Sequence, residues 1–253
     1  MYRVAIIGLQ HYHVTGWAES FEQFPERIEI VALYDANPAA GEWLAPPYHH
    51  PVLSPALSDA YRTLPFYTDL QALIAREKPD IALVTGPNID APGIIATLAN
   101  AGVHLLIDKP GGRTASEAQA ALNAIRAANV RAAVGLNRRY GKAWQEAAAA
   151  IRDGRIGKLM TTEAIFTTST VKVRNPLNPL FNKESMGGGI LHWLGVHDID
   201  LMLWLTGEPI VEVQAMAGTL GEAEIEVEDV LSMSVRYASG AIRSEEHTSE
   251  LQS

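Results

Sequence analysis

Two side chains in this sequence have the type and the setting for proton chemistry. Lys109 lies in Asp108-Lys109-Pro110, and His197 lies in Gly195-Val196-His197-Asp198-Ile199-Asp200. Lys109 follows the apolar run Val103–Ile107 and precedes Gly111-Gly112. A β-branched and apolar run closed by such a turn reads as a buried parallel strand. Open α/β sheets take ligands at the carboxyl ends of their strands, so Lys109 is read as functional rather than as a solvated turn lysine. His197 falls on a helix expected from Ile190 to Leu205 and introduced by Gly187-Gly188-Gly189. Trp193, one turn earlier, shares its face, whereas His192 turns away. A lone helical histidine is often a core residue. On a glycine-led helix its titratable ring is read as functional.

A second set of residues points to phosphate and ribose. Tyr2–Leu9 is an almost uniformly apolar strand with Gly8 near its end, followed by a helix and then the apolar strand Ile28–Tyr34, stopped by Asp35. Strand, turn, helix and strand with an acid at its end is the opening of a dinucleotide-binding βαβ unit. Counted from Gly8, Gln10 and His13 stand where the second and third glycines of G-x-G-x-x-G belong. The second glycine lets backbone approach the pyrophosphate, so a glutamine obstructs unless it points away. Asp35 is expected to accept both ribose hydroxyls and to repel a 2′-phosphate, which favours NAD over NADP; a plain turn residue before Asn37-Pro38 is the other reading. His11 and His13, two apart, do not share a helical face, and no acidic or cysteine partner is expected near them. They are read as phosphate-side contacts or plain surface, and no metal site is expected.

These residues need a scaffold, and the chain alternates strand and helix regularly as far as Leu136. Helices are expected at Thr68–Glu77, Ala91–Asn100 and Ser116–Ala128, the last with Ser116 as N-cap, and strands at Asp80–Thr85 and Val130–Leu136. The alternation lapses only in the insert from Pro46 to Pro55, read as a loop carrying His49-His50. A doubly wound parallel sheet follows. Beyond the helix Trp144–Arg152, longer half-exposed strands at Leu159–Thr170, Ile210–Thr219 and Val230–Tyr237 suggest an α+β domain with a mostly antiparallel open sheet, and Val171–Ser185 reads as loop. The expected division is a dinucleotide domain at 1–120 and an incomplete α+β domain at 121–242, with the 116–140 segment able to pack on the first sheet.

Composition narrows the function classes. The net charge of -9 argues against a nucleic-acid partner, which wants a basic face. A hydrophobic fraction of 47% supplies a real core, and no apolar run reaches the ~20 residues that span a membrane. The sequence holds 0 cysteines, so there is no disulfide framework and no thiolate metal site. With a strand starting at Tyr2 and no room for a signal peptide, the expected location is the cytoplasm.

From Arg3 to about Ile242 the chain resembles the Gfo/Idh/MocA family, which includes glucose–fructose oxidoreductase and inositol dehydrogenase. The likeness is most specific in Asp108-Lys109-Pro110, similar to the family's Glu-Lys-Pro, and in the Gly-Gly-Gly…Gly195-x-His197-x-x-Asp200 stretch. Asp35 and Pro87-Asn88 support it. The resemblance implies that Lys109 and His197 act together beside a nicotinamide and that the Lys109–Pro110 peptide is cis. It further implies cofactor contacts from Gly8, Gln10, His11, His13, Asp35, Pro87, Asn88, Asp108, Lys109 and Pro110, and pocket residues Asn137, Arg138, Trp193 and Asp200. The implied reaction is hydride transfer between NAD(P), NAD before NADP, and a secondary alcohol of a sugar, polyol or inositol-like substrate, in a homo-oligomer when full-length. Trp193 replaces the aspartate that family members usually carry four residues before the histidine. An NAD-cycling glycosidase or dehydratase and a non-catalytic dinucleotide sensor are the alternative readings.

After Ala238-Ser239-Gly240 a hairpin partner begins at Ala241-Ile242, and the sequence then becomes polar: RSEEHTSELQS, residues 243–253. It resembles translated adapter sequence, so a truncated frame with a non-native, disordered tail is expected, leaving an open-edged sheet.

Overall fold

The computed structural model describes residues 1–11, 13–41, 57, 59–174 and 178–248. The insert Pro46–Pro55, with His49 and His50, lies outside the described residues. The chain divides into two compact units: Met1–Gly135 with Leu177–Pro179 and Glu184–Gly187, and Leu136–Pro176 with Leu180–Lys183 and Gly188–Ser253.

In the first unit, strands β1 (Tyr2–Ile7), β2 (Ile28–Tyr34), β3 (Phe66–Tyr67), β4 (Ile81–Val84), β5 (His104–Ile107) and β6 (Ala132–Val134) form one sheet in the order β3-β2-β1-β4-β5-β6. Every neighbouring pair is parallel. Such a sheet must be covered on both faces, and the residues of β1 show why it can be. Ala5 and Ile7 pack with Leu73, Ile95, Leu98 and Ala121, from helices α2 (Leu70–Glu77), α3 (Ala91–Asn100) and α4 (Ala115–Ala127). Ile6 faces the other way, onto Val14 and Ala18 of α1 (His13–Glu22). Full burial of a side chain such as Ile6 or Leu83 contributes about 1.5–3 kcal/mol.

The order reverses between β1 and β4, so their carboxyl ends diverge into the crevice where doubly wound sheets bind ligands. The first unit extends to Gly135, with β6, from the 116–140 segment, completing the sheet against β5. The cap of α4 is Thr114, not Ser116: the Thr114 hydroxyl accepts the Glu117 N–H at 3.2 Å.

The second unit contains α5 (Lys142–Arg152), β7 (Thr161–Thr167), α8 (Val196–Thr206), β8 (Ile210–Gly218), β9 (Val230–Tyr237) and β10 (Ile242–Thr248). Its sheet runs β7-β10-β9-β8, antiparallel except where β10 meets β7. Ile190 packs with Leu231, Met233, Val235 and Tyr237 from the inner face of β9. The Val171–Ser185 stretch, expected as loop, overlaps the short helices α6 (Thr170–Val173) and α7 (Lys183–Met186) at its two ends. The helix expected to start at Ile190 begins as a π-helical turn, Leu191–Gly195, and becomes α-helical at Val196.

The expectation of a disordered tail from Arg243 fails for residues 243–248, which are most of β10. Its neighbours β9 and β7 satisfy its backbone on both edges, so the strand does not depend on apolar side chains. Its inward positions carry Arg243 and His247, both buried, in place of the aliphatic residues by which a strand is usually recognised. Residues 249–253 lie outside the described residues. Among the described residues, no helix is long and apolar enough to cross a membrane.

Candidate functional site

In the first unit the site is built from four strand ends. Gly8 closes β1 with φ +94, and a Cβ there would lie 2.4 Å from the Gly86 nitrogen. Only glycine allows the turns after β1 and β4 to approach this closely. Thr85, buried at the end of β4, donates its hydroxyl to the Gly8 carbonyl at 2.5 Å and fixes the approach.

Asp35, at the end of β2, is 2% exposed. Its Oδ2 accepts the Leu9 N–H at 2.8 Å, and its Oδ1 accepts the Gln10 side-chain amide at 3.0 Å and the Asn37 N–H at 2.9 Å. Gln10 therefore bends to Asp35, which answers the objection that its side chain obstructs the turn. Gly8, Gln10, Tyr34, Asp35, Pro87 and Asp90 border a cavity of about 380 Å³. Its charge is negative. Burial and then the Asp35 charge push the Asp90 carboxyl up, and burial followed by Asp35, Asp90 and Asp69 pushes the Tyr34 hydroxyl up. Asn88 is buried and donates its amide to the Met186 carbonyl at 3.0 Å.

At the end of β5, Asp108 and Lys109 are both buried, and the Lys109–Pro110 peptide is cis. The reading that His11 and His13 lack an acidic neighbour is corrected here. His13 Nδ1 lies 2.8 Å from Asp108 Oδ2, and His11 Nδ1 lies 3.4 Å from the same oxygen. The ionised carboxylate can only accept, so the His13 ring carries the shared hydrogen. Asp108 Oδ1 accepts the Lys109 N–H at 3.0 Å, and His11 Nδ1 accepts the His13 N–H at 3.1 Å. Burial opposes ionisation of Asp108. The His13 hydrogen bond, with charge from His13 and Lys109, outweighs it and holds the carboxyl well below the usual range. Among the described residues, this trio alone could surround a metal ion, with ligand atoms within 4.8 Å of one another. Here those atoms are engaged with each other.

In the second unit, His197 stands half-buried on the first turn of α8. Gly189 lets the chain before that helix pass against the segment leading into β9: a Cβ there would lie 1.9 Å from the Glu228 carbonyl oxygen. Arg138 and Asp200, expected on the substrate side, each meet a partner that sequence reasoning missed. Arg138 pairs with Asp198 and sits 5.7 Å over the Phe166 ring. Arg139 holds Asp200 through two nitrogens, with Nε at 2.6 Å. Asn137 is exposed, and Trp193 is buried with its ring edge-on to Phe181 at 5.3 Å. Arg243 donates to the Asp198 carbonyl at 3.1 Å, and His247 Nε2 lies 3.8 Å from Asp198 Oδ2. The signals for Asp198 and Arg139 were their positions beside His197 and Arg138. For Arg243 and His247 there was none.

Comparison with known proteins agrees with this architecture. The family model for "Oxidoreductase family, NAD-binding Rossmann fold" matches residues 2–136, and that for "GFO/IDH/MocA C-terminal domain" matches residues 144–248. Inositol 2-dehydrogenase of Rhizobium meliloti (strain 1021) is 30% identical over 191 residues, which is 76% of this chain and 51% of that protein. D-glucoside 3-dehydrogenase of Escherichia coli (strain K12) is 26% identical over 255 residues, 95% of this chain and 68% of its own. The chain thus spans about half the length of the inositol enzyme. The crystal structure of the WlbA dehydrogenase from Bordetella pertussis, in complex with NADH and UDP-GlcNAcA, shares the fold with a TM-score of 0.85 at 23% identity, covering 99% of this chain and 67% of that one. With a parallel nucleotide-type sheet, a second mostly antiparallel sheet and matches across both, the chain belongs to the GFO/IDH/MocA family of oxidoreductases.

Proposed function

We propose that this chain carries out NAD-dependent oxidation of a secondary alcohol on a sugar or polyol, with Lys109 and His197 handling the hydroxyl group. The observation that carries the reading is the cavity at the carboxyl ends of β1, β2 and β4, with the buried Lys109 at the exit of the next strand, β5. NAD fits the residues present. Gly8, closed against the Gly86 backbone, shapes the tight turn that borders the cavity, and Asp35 offers a buried acceptor where a ribose belongs. Asp35, Asp69 and Asp90 line the cavity with no lysine or arginine among the described lining residues, an arrangement hostile to a 2′-phosphate. Bound NAD supplies a hydride acceptor.

The protein supplies orientation and proton handling. Lys109 donates to the carbinol oxygen and stabilises negative charge there as the C–H bond is broken. His197 accepts the hydroxyl proton, so the alcohol loses a hydride and a proton and becomes a carbonyl compound. A base with a pKa near the working pH contributes about 10²–10⁴-fold. Asp108, clamped by His13, holds the backbone at Lys109. The dehydrogenases among the relatives, named for inositol, levoglucosan and D-glucosides, suggest the substrates to try. The cysteine-free sequence fits a reducing compartment, and the cytoplasm is the location we assign.

The test is a panel of myo-inositol, levoglucosan and simple glucosides with NAD, following NADH appearance. Lys109→Ala is expected to abolish turnover while NADH affinity stays within about 2-fold; a fully active variant overturns the assignment. Product formation without NADH release identifies an NAD-cycling enzyme instead. Tight NADH binding with no turnover on any substrate identifies a sensor.

A further inference from the structure

We propose that Gln10 is a selectivity residue of the dinucleotide site: its amide nitrogen holds Asp35, and its amide oxygen accepts one hydroxyl of the ribose that Asp35 faces. This rests on the NAD reading above.

Asp35 has too few lone pairs left to hold a ribose diol by itself. An ionised carboxylate offers about four acceptor positions. Asp35 Oδ1 is filled by Gln10 Nε2 at 3.0 Å and Asn37 N at 2.9 Å, and Oδ2 takes Leu9 N at 2.8 Å. Among the described residues nothing else fills Asp35, and one position remains, on Oδ2. A ribose diol brings two hydroxyl donors, so Asp35 as held here can serve only one of them. The orientation of the Gln10 amide is settled by chemistry: an oxygen turned toward the carboxylate would set acceptor against acceptor. With the nitrogen committed to Asp35, the amide oxygen is left on the side chain that borders the same cavity. It is the acceptor the second hydroxyl requires.

The same pair explains the missing glycine. A glycine at position 10 would free Asp35 Oδ1 for a bidentate grip on the ribose, whereas glutamine spreads that grip over two residues. A 2′-phosphate brings negative oxygens in place of a hydroxyl donor. It would then face the Gln10 oxygen as well as the charges of Asp35 and Asp90, both of which line the cavity.

The test measures dissociation constants by NADH fluorescence on the intact chain. The ligands are NADH and its two monodeoxy analogues at the adenosine ribose, against wild type, Gln10→Lys and Gln10→Gly. In wild type, loss of either hydroxyl is expected to weaken binding about 5- to 10-fold, as for one hydrogen bond. Gln10→Lys keeps a donor for Asp35 Oδ1 and carries no acceptor, so it should reduce the penalty for one of the two missing hydroxyls to under about 2-fold. Gln10→Gly frees that Oδ1 position and should keep both penalties. A general loosening of the fold would not erase one penalty and leave the other. Should Gln10→Lys fail to fold, Gln10→Arg offers the same kind of donor without an acceptor. Two undiminished penalties in Gln10→Lys, or one penalty erased in Gln10→Gly, overturn the proposal and leave the NAD reading standing. A wild-type chain that binds neither NADH nor NADPH sinks the NAD reading itself.

Discussion

Asp108 joins two parts of the first unit through its two oxygens, taking the Lys109 backbone on one and the His13 ring on the other. Its pKa is lower in the folded chain than in the unfolded one, because the His13 bond and nearby positive charge outweigh the effect of burial. Such a group contributes stability that is fully present above the unfolded pKa of about 4 and is lost as pH falls through the folded value. Asp108→Asn is therefore expected to lower stability at neutral pH by about 1–3 kcal/mol. Below about pH 4 it should also lose stability less steeply than wild type. Urea melts of both proteins at several pH values check this, and parallel pH profiles would contradict it. Lys109, Asp35 and His197 were legible in the sequence because each is a chemically active type beside an element end. The His13–Asp108 pair was not: its members stand 95 positions apart, and neither neighbourhood names the other.

Element by element, the sequence was read most securely where a strand is buried on both sides. Those segments are continuous apolar runs, and burial allows no other composition. Ends were less legible, since a cap depends on one side chain's angle. Thr114 and Ser116 are both good capping residues, and only the backbone decides between them. Thr114→Ala is expected to cost about 1 kcal/mol, with Ser116→Ala costing less than half as much, as measured by thermal melts. Equal losses would show that the cap is misassigned. β10 was invisible for a different reason. Period-two reading looks for aliphatic residues facing inward, and this strand turns Arg243 and His247 to the inside.

For the whole molecule, the second sheet raises a question of association. β8 is an edge strand in this chain, and most of its length is exposed. Val213 pairs with the buried Val235 but is itself 55% exposed. An uncapped edge with exposed apolar side chains invites pairing with another chain. Val213→Lys is expected to reduce concentration-dependent association without shifting the melting temperature by more than about 2 °C; light scattering that does not change would remove this edge from consideration.

The sequence by itself determined the alternation of strand and helix, the doubly wound sheet and, to within about two residues, where the apolar strands of that sheet end, because apolar periodicity is a local property of the chain. Tertiary structure decided which of those ends meet. The strand order sets the turn after β1 beside the end of β2, so Gln10 closes on Asp35, and His13 reaches Asp108 beyond β5. A hydrogen bond needs two groups within about 3 Å. That closeness is a consequence of strand order, which no local stretch of sequence carries.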